Sequence, residues 1–102
     1  MTHTITAEDK ESGGSFASVF ATVDITSLDN AASEDFDPAA ELGVRSVVGV
    51  SVLGLENAGT YQAEYDHVAG DTLAVQNVDG TDPTSGTDVG EVQVRVDGNL
   101  GP

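Results

Sequence analysis

The chain contains no cysteine and no tryptophan, and its 102 residues include only three basic side chains and five aromatic ones. Without cysteine there is no disulfide, zinc–thiolate centre or thiol nucleophile. The basic residues, Lys10, Arg45 and Arg95, are spread along the chain. No patch of them can neutralise a run of phosphates, which argues against nucleic acid as a partner. Anionic membrane surfaces are excluded on the same ground. No apolar stretch is long enough to span a bilayer. The opening Met1-Thr2-His3-Thr4 lacks the basic and apolar regions of a signal peptide, so a soluble protein made in the cytoplasm is expected. Five aromatics without tryptophan also supply poorly the row of exposed rings that a carbohydrate-binding module needs.

What the chain has in excess is acid. Eighteen Asp and Glu give a formal net charge of -15. High net charge with low hydrophobicity is the signature of disorder. Here, however, 38% of the residues are hydrophobic and they lie in ordered, alternating runs. The better reading is a folded protein adapted to strong salt. A fold with this charge repels itself, but at about 1 M salt the Debye length is roughly 3 Å and only nearest-neighbour carboxylates still interact. Scarcity of lysine fits, because its apolar stem covers surface that strong salt makes adhesive.

One domain, residues 1–102, is expected, with an N-terminal arm over 1–14 and a modest core. Gly, Asn and Asp punctuate the chain every dozen residues or so, as in an all-β sandwich or barrel. Thr2–Glu8 alternates and ends in the polar turn 9–14. In the segment from Ser15 to Ile25, Val19, Ala21, Val23 and Ile25 share one face, with Phe16 and Phe20 on the other. Residues 26–35 are small, polar and acidic and read as a loop. Asp37 as N-cap, Pro38 at the first position and Gly43 at the exit predict a short helix near 37–42. The stretch from Val44 to Leu55 reads as a central strand, with Val44, Val48, Val50 and Val52 on one face and Val47, Leu53 and Leu55 on the other. Strands follow over 61–66 and 72–78, with Leu73 and Val75 inward, then a long loop over 79–88. The closing strand places Val92, Val94 and Val96 on one face. The sum is a single β-sandwich or barrel, Greek-key or jelly-roll-like, of about six to eight strands with one short helix.

Chemistry is harder to find. Carboxylates abound, but a catalytic pair needs two in different environments, and most here fall in turns or on polar strand faces where they stay solvated. His3 lies in a terminal strand and His67 in a tight turn, where its ring packs on Tyr65 or caps the turn. No nucleophile-elbow motif accompanies either. Asp79, Asp82 and Asp88 cluster with Asn77 in one loop and are weak candidates for a hard cation. Their spacing is not that of an EF-hand, and Asp-Gly and Asp-Pro are equally good turn formers, so no metal is expected. The glycines are spaced as turn markers rather than as a phosphate cradle. No catalytic residue, metal or cofactor is therefore assigned.

Three stretches, in order, resemble the small capsid decoration, or head-stabilising, proteins of tailed viruses. They are the acidic segment 34–43 around Pro38, the aromatic strand 60–67 leading through Asp71 into the Leu73-Ala74-Val75 strand, and the Ser85-Gly86-Thr87-Asp88 loop before Val92, Val94 and Val96. The likeness runs over roughly residues 15–98, and its order and spacing carry the specificity. The chain departs from the pattern in lacking lysines after the Asp turn, as salt adaptation would require. The resemblance implies a β-sandwich that assembles, often as a homotrimer, on the outer surface of the virion and bridges major capsid protein subunits. It brings no catalytic residues. Ile5, Phe16 and Phe20, with the arm over 1–14, are the expected contacts. A turret, vertex or tail-fibre component, and then a halophilic cellular binding module, are the alternatives, with an enzyme third.

Overall fold

The computed structural model describes residues 3–13 and 16–99. Among them, seven strands and one helix follow in the order β1 (His3–Gly13), β2 (Phe16–Ile25), β3 (Ser33–Asp35), α1 (Pro38–Leu42), β4 (Ser46–Leu55), β5 (Tyr61–Tyr65), β6 (Thr72–Asn77) and β7 (Gly90–Asn99). They form two antiparallel sheets, ordered β1-β2-β7-β4 and β3-β6-β5. The fold is an all-β sandwich whose sheets share one core.

The core is built by alternation. Ala17, Val19, Ala21, Val23 and Ile25 of β2 face inward beside Val92, Val94 and Val96 of β7, and Leu73 and Val75 of β6 close over them. Leu28, Phe36, Leu42, Val44 and Val89, from connecting segments, seal the ends. The helix starts and stops where its capping residues dictate. The Asp37 side chain accepts from the Ala40 N–H, Pro38 occupies the first turn, and Gly43 ends the helix at φ 70° with its N–H on the Ala39 carbonyl.

Four expectations need correction. First, β1 does not stop at Glu8. Asp9, Lys10 and Glu11 pair with Phe20, Val19 and Ser18, so most of the expected arm is an edge strand, while Met1, Thr2 and Gly14 lie outside the described residues. Ladder hydrogen bonds need no apolar side chains, and charges are well suited to an edge. Second, the expected loop over 26–35 contains β3, paired with β6. Third, β4 is an edge strand, not a central one.

Fourth, its faces are not those of a regular alternation. The register against β7 shifts between Val47 and Gly49 and again between Val52 and Gly54. Each shift inserts one residue, Val48 and then Leu53, and turns it out to solvent, while Val47, Val50, Val52 and Leu55 pack on the core.

Gly98 is where β4 and β7 come closest. A Cβ there would lie 2.2 Å from the Ser46 carbonyl oxygen and 2.6 Å from Val44 Cγ1. Gly98→Ala is expected to push the start of β4 off β7 at a cost of about 1–3 kcal/mol. The urea midpoint should fall with its slope unchanged, and an unaltered midpoint would contradict this packing.

Candidate functional site

The outer face of the four-stranded sheet is built from residues that point away from the core. From β2 come Phe16, 46% exposed, and Phe20, 38% exposed. The two insertions in β4 add Val48 at 69% and Leu53 at 57%. Across the sheet, Asp9, Phe20, Arg95 and Ser51 form one rung of paired residues. The Arg95 guanidinium stands 6.0 Å from the centre of the Phe20 ring, within cation–π range. Its Nε donates to Asp97 Oδ1 at 3.0 Å, and the Ser18 hydroxyl donates to the same oxygen at 2.5 Å. The Ser18 hydroxyl, with Arg95 behind it, holds the Asp97 carboxyl below its ordinary 3.8. Arg95 is thus fixed in place over the ring. Next to it, Asp9, Phe20, Thr22, Leu53 and Gln93 line an open depression of about 300 Å³.

The other sheet carries a shallow hollow of about 410 Å³ lined by Ala32, Gln62, Ala63, Glu64, Ala74 and Gln76. Its one carboxylate is Glu64. In the first depression Glu8 and Asp9 are consecutive strand residues and point to opposite faces. Both contribute to the lining of that depression.

The expected contact residues divide. Phe16 and Phe20 lie on this outer face as anticipated, whereas Ile5 pairs with Val23 and packs against the core. The weak cation candidates are not drawn together. Asp79 accepts from the N–H and hydroxyl of Thr81, which hold its carboxyl below 3.8, and Asp82 accepts from Gln76 at 3.4 Å. Asp88 is exposed. His67 is exposed too, and its turn is capped instead by the Asp66 carboxylate, on the N–H groups of Val68 and Ala69, and by the Tyr65 hydroxyl.

The histidine that matters structurally is His3. Far from being exposed, it is 5% accessible. Its Nδ1 lies 2.5 Å from Glu34 Oε2 and its Nε2 2.5 Å from Glu41 Oε1. Glu34, expected in a solvated loop, is fully buried. Its other oxygen accepts from the Asp29 N–H at 2.8 Å, and the other oxygen of Glu41 accepts from the Asp37 N–H at 2.8 Å. Burial alone would push the His3 imidazole down. The hydrogen bonds and charges of Glu34 and Glu41 outweigh it and raise the group above its ordinary 6.5. His3, Asp29 and Glu34 place potential ligand atoms within 4.8 Å of one another. Because His3 and Glu34 are already bonded to each other, the group is an ion cluster rather than an open ligand set. A signal for it exists in the sequence: His3 shares the inward phase of β1 with Ile5, and a histidine on an apolar strand face must find buried partners.

The chain matches no protein-family model, no curated protein and no solved structure. The functional reading therefore rests on the surface itself.

Proposed function

We propose that this chain is a non-catalytic binding domain that docks through the outer face of its four-stranded sheet onto a larger protein surface. The observation that carries this reading is the set of four large apolar side chains, Phe16, Phe20, Val48 and Leu53, held in water on one sheet. Scattered single hydrophobes need no explanation, but Phe20 and Leu53 at one depression, with Arg95 over the Phe20 ring, have the make-up of a binding hot spot. Exposure here also costs the domain core material it can ill spare at this size. The surface we propose is the outside of a tailed-virus capsid, with the chain as a decoration protein on the major capsid protein in high salt. That part rests on the ordered likeness of the acidic, aromatic and closing segments. Each contact would be small, and homotrimer and lattice symmetry would multiply it.

The test pairs Phe20→Ser with Leu53→Ser and measures co-sedimentation with capsids in molar salt. Removing two apolar anchors is expected to weaken binding at least tenfold, on the basis of about 1.5–3 kcal/mol for each large side chain buried. Far-UV circular dichroism should be unchanged, since neither side chain belongs to the core. Undiminished binding by the double variant sinks the docking face. A gene set among metabolic genes, with no capsid or capsid-maturation protease gene beside it, sinks the virion assignment.

A further inference from the structure

We infer that His3 is a proton-dependent clamp: with a proton on both ring nitrogens it ties the N-terminal end of β1 to β3 and α1, and loss of one proton releases that end. This goes beyond the docking proposal and does not depend on what the outer face binds.

The argument begins with a count of donors. A neutral imidazole has one N–H and one lone pair, whereas imidazolium has two N–H groups. Both His3 nitrogens face carboxylate oxygens at 2.5 Å, one from β3 and one from α1. Only the charged ring can donate to both. In the neutral ring one lone pair would confront a carboxylate oxygen at 2.5 Å, an unfavourable contact between two acceptors.

The surroundings reinforce the proton. Among the described residues, the ionisable groups packed around the ring are acidic: Glu34 from β3, Glu41 from α1, and Asp29 from the segment between β2 and β3. Asp37, at the helix N-cap, enters through its backbone N–H on Glu41. From β2 the cross-strand neighbour is Ile25, and the remaining contact is the edge of Phe36 at 6.0 Å. Losing the proton removes the positive charge that Glu34 and Glu41 face, in a site where charges interact more strongly than in water.

The fold confines the consequence. β1 is an edge strand, and its register shifts between Ile5 and Ala7. Residues 3–5 are thus a short ladder segment, set off by the irregularity from the rest of the strand. Opening it breaks few hydrogen bonds and leaves the β2–β7 core intact. In the closed state the His3 titration is raised above 6.5. The clamp's contribution is therefore complete below about pH 6.5, the free value, and is lost as pH rises through the closed-state midpoint.

The experiment uses the whole chain in molar salt, which screens surface charges but hardly touches this buried cluster. The His3 midpoint is read by NMR. Amide exchange of residues 3–5 is followed from pH 6 to 9, corrected for intrinsic base catalysis, with residues 92–96 as reference. Across the titration the opening equilibrium of residues 3–5 should rise about tenfold for each unit by which the His3 midpoint exceeds the free value. The reference amides should not respond. Glu41→Gln, which keeps the shape and removes one charge, should lower the midpoint and shrink the rise together. A wild-type midpoint at or below 6.5, or pH-independent opening of residues 3–5, overturns the clamp whether or not the variant folds.

Discussion

Phe36→Ala is expected to cost the protein about 3–5 kcal/mol of stability, the largest loss from any single truncation in its core. Phe36 is the largest of the fully buried side chains and sits between β3 and α1. Its N–H donates to the Asp71 carbonyl at 2.9 Å, which fixes the backbone, and its ring meets the His3 ring edge-on. Truncating a buried phenylalanine costs about 3–5 kcal/mol, through lost transfer energy and the cavity left behind. A domain of this length has about 5–15 kcal/mol in total, so the variant loses from about a fifth of its stability to all of it. Chemical denaturation followed by far-UV circular dichroism measures the loss. Val48→Ala, a smaller truncation on the exposed side of a β4 irregularity, is the control and should stay within about 0.5 kcal/mol of the parent. If the two variants melted alike, the division between core and outer face would be wrong.

Dilution of salt should have a comparable effect without any mutation. The chain sets eighteen carboxylates, Glu34 alone fully buried among the described residues, against three lysine and arginine side chains. Among the described residues only two ion pairs lie outside the His3 cluster, Lys10 with Glu8 at 3.8 Å and Arg95 with Asp97 at 3.0 Å. Both are exposed and contribute little. Two carboxylates about 8 Å apart in water repel by about 0.5 kcal/mol when unscreened. Some ten such pairs amount to about 5 kcal/mol, as large as the lower end of a small domain's stability. At about 1 M salt the screening length of roughly 3 Å removes most of this, whereas at 0.1 M, with roughly 10 Å, a little under half of it persists. The melting temperature should therefore climb with ionic strength, with unfolding or dissociation when salt drops well below about 1 M. A chain equally stable at 0.1 M and 3 M would defeat the proposal of a strong-salt habitat.

The regular parts of this fold were legible because side-chain period and backbone geometry agree there. Alternation alone placed Val19, Val23 and Ile25 of β2, Leu73 and Val75 of β6, and Val92, Val94 and Val96 of β7 on the inner faces they occupy. Asp37, Pro38 and Gly43 marked the helix because capping is local chemistry. β4 defeated the reading because each one-residue insertion reverses the phase that follows it. The clue was the glycine directly after each inserted residue, Gly49 after Val48 and Gly54 after Leu53. The extent of β1 was hidden for a different reason, since an edge strand held by backbone hydrogen bonds need show no hydrophobic pattern. Of the candidate site, Phe16 and Phe20 were readable from the off-phase of β2, whereas Ile5, expected among the contacts, packs against the core. The partners of His3 were not readable. Glu34 and Glu41 lie 31 and 38 residues away, and only the closing of the two layers brings them to the ring.

The position of β7 has a further consequence, for how the chain comes to be folded at all. Gly90–Asn99 lies between β2 and β4, so the inner pair of the larger sheet joins residues 16–25 to residues 90–99. The β1–β2 and β5–β6 hairpins can form early from neighbouring sequence, but neither closes the core. During synthesis the apolar faces of β2 and β6 must wait, unpaired, until Asn99 has cleared the ribosome. Closing a loop of that length delays the rate-limiting contact, as in other sandwiches dominated by distant pairings. In that interval the same negative charge that burdens the finished fold keeps nascent chains apart, and so guards against the association to which slow β-topologies are exposed.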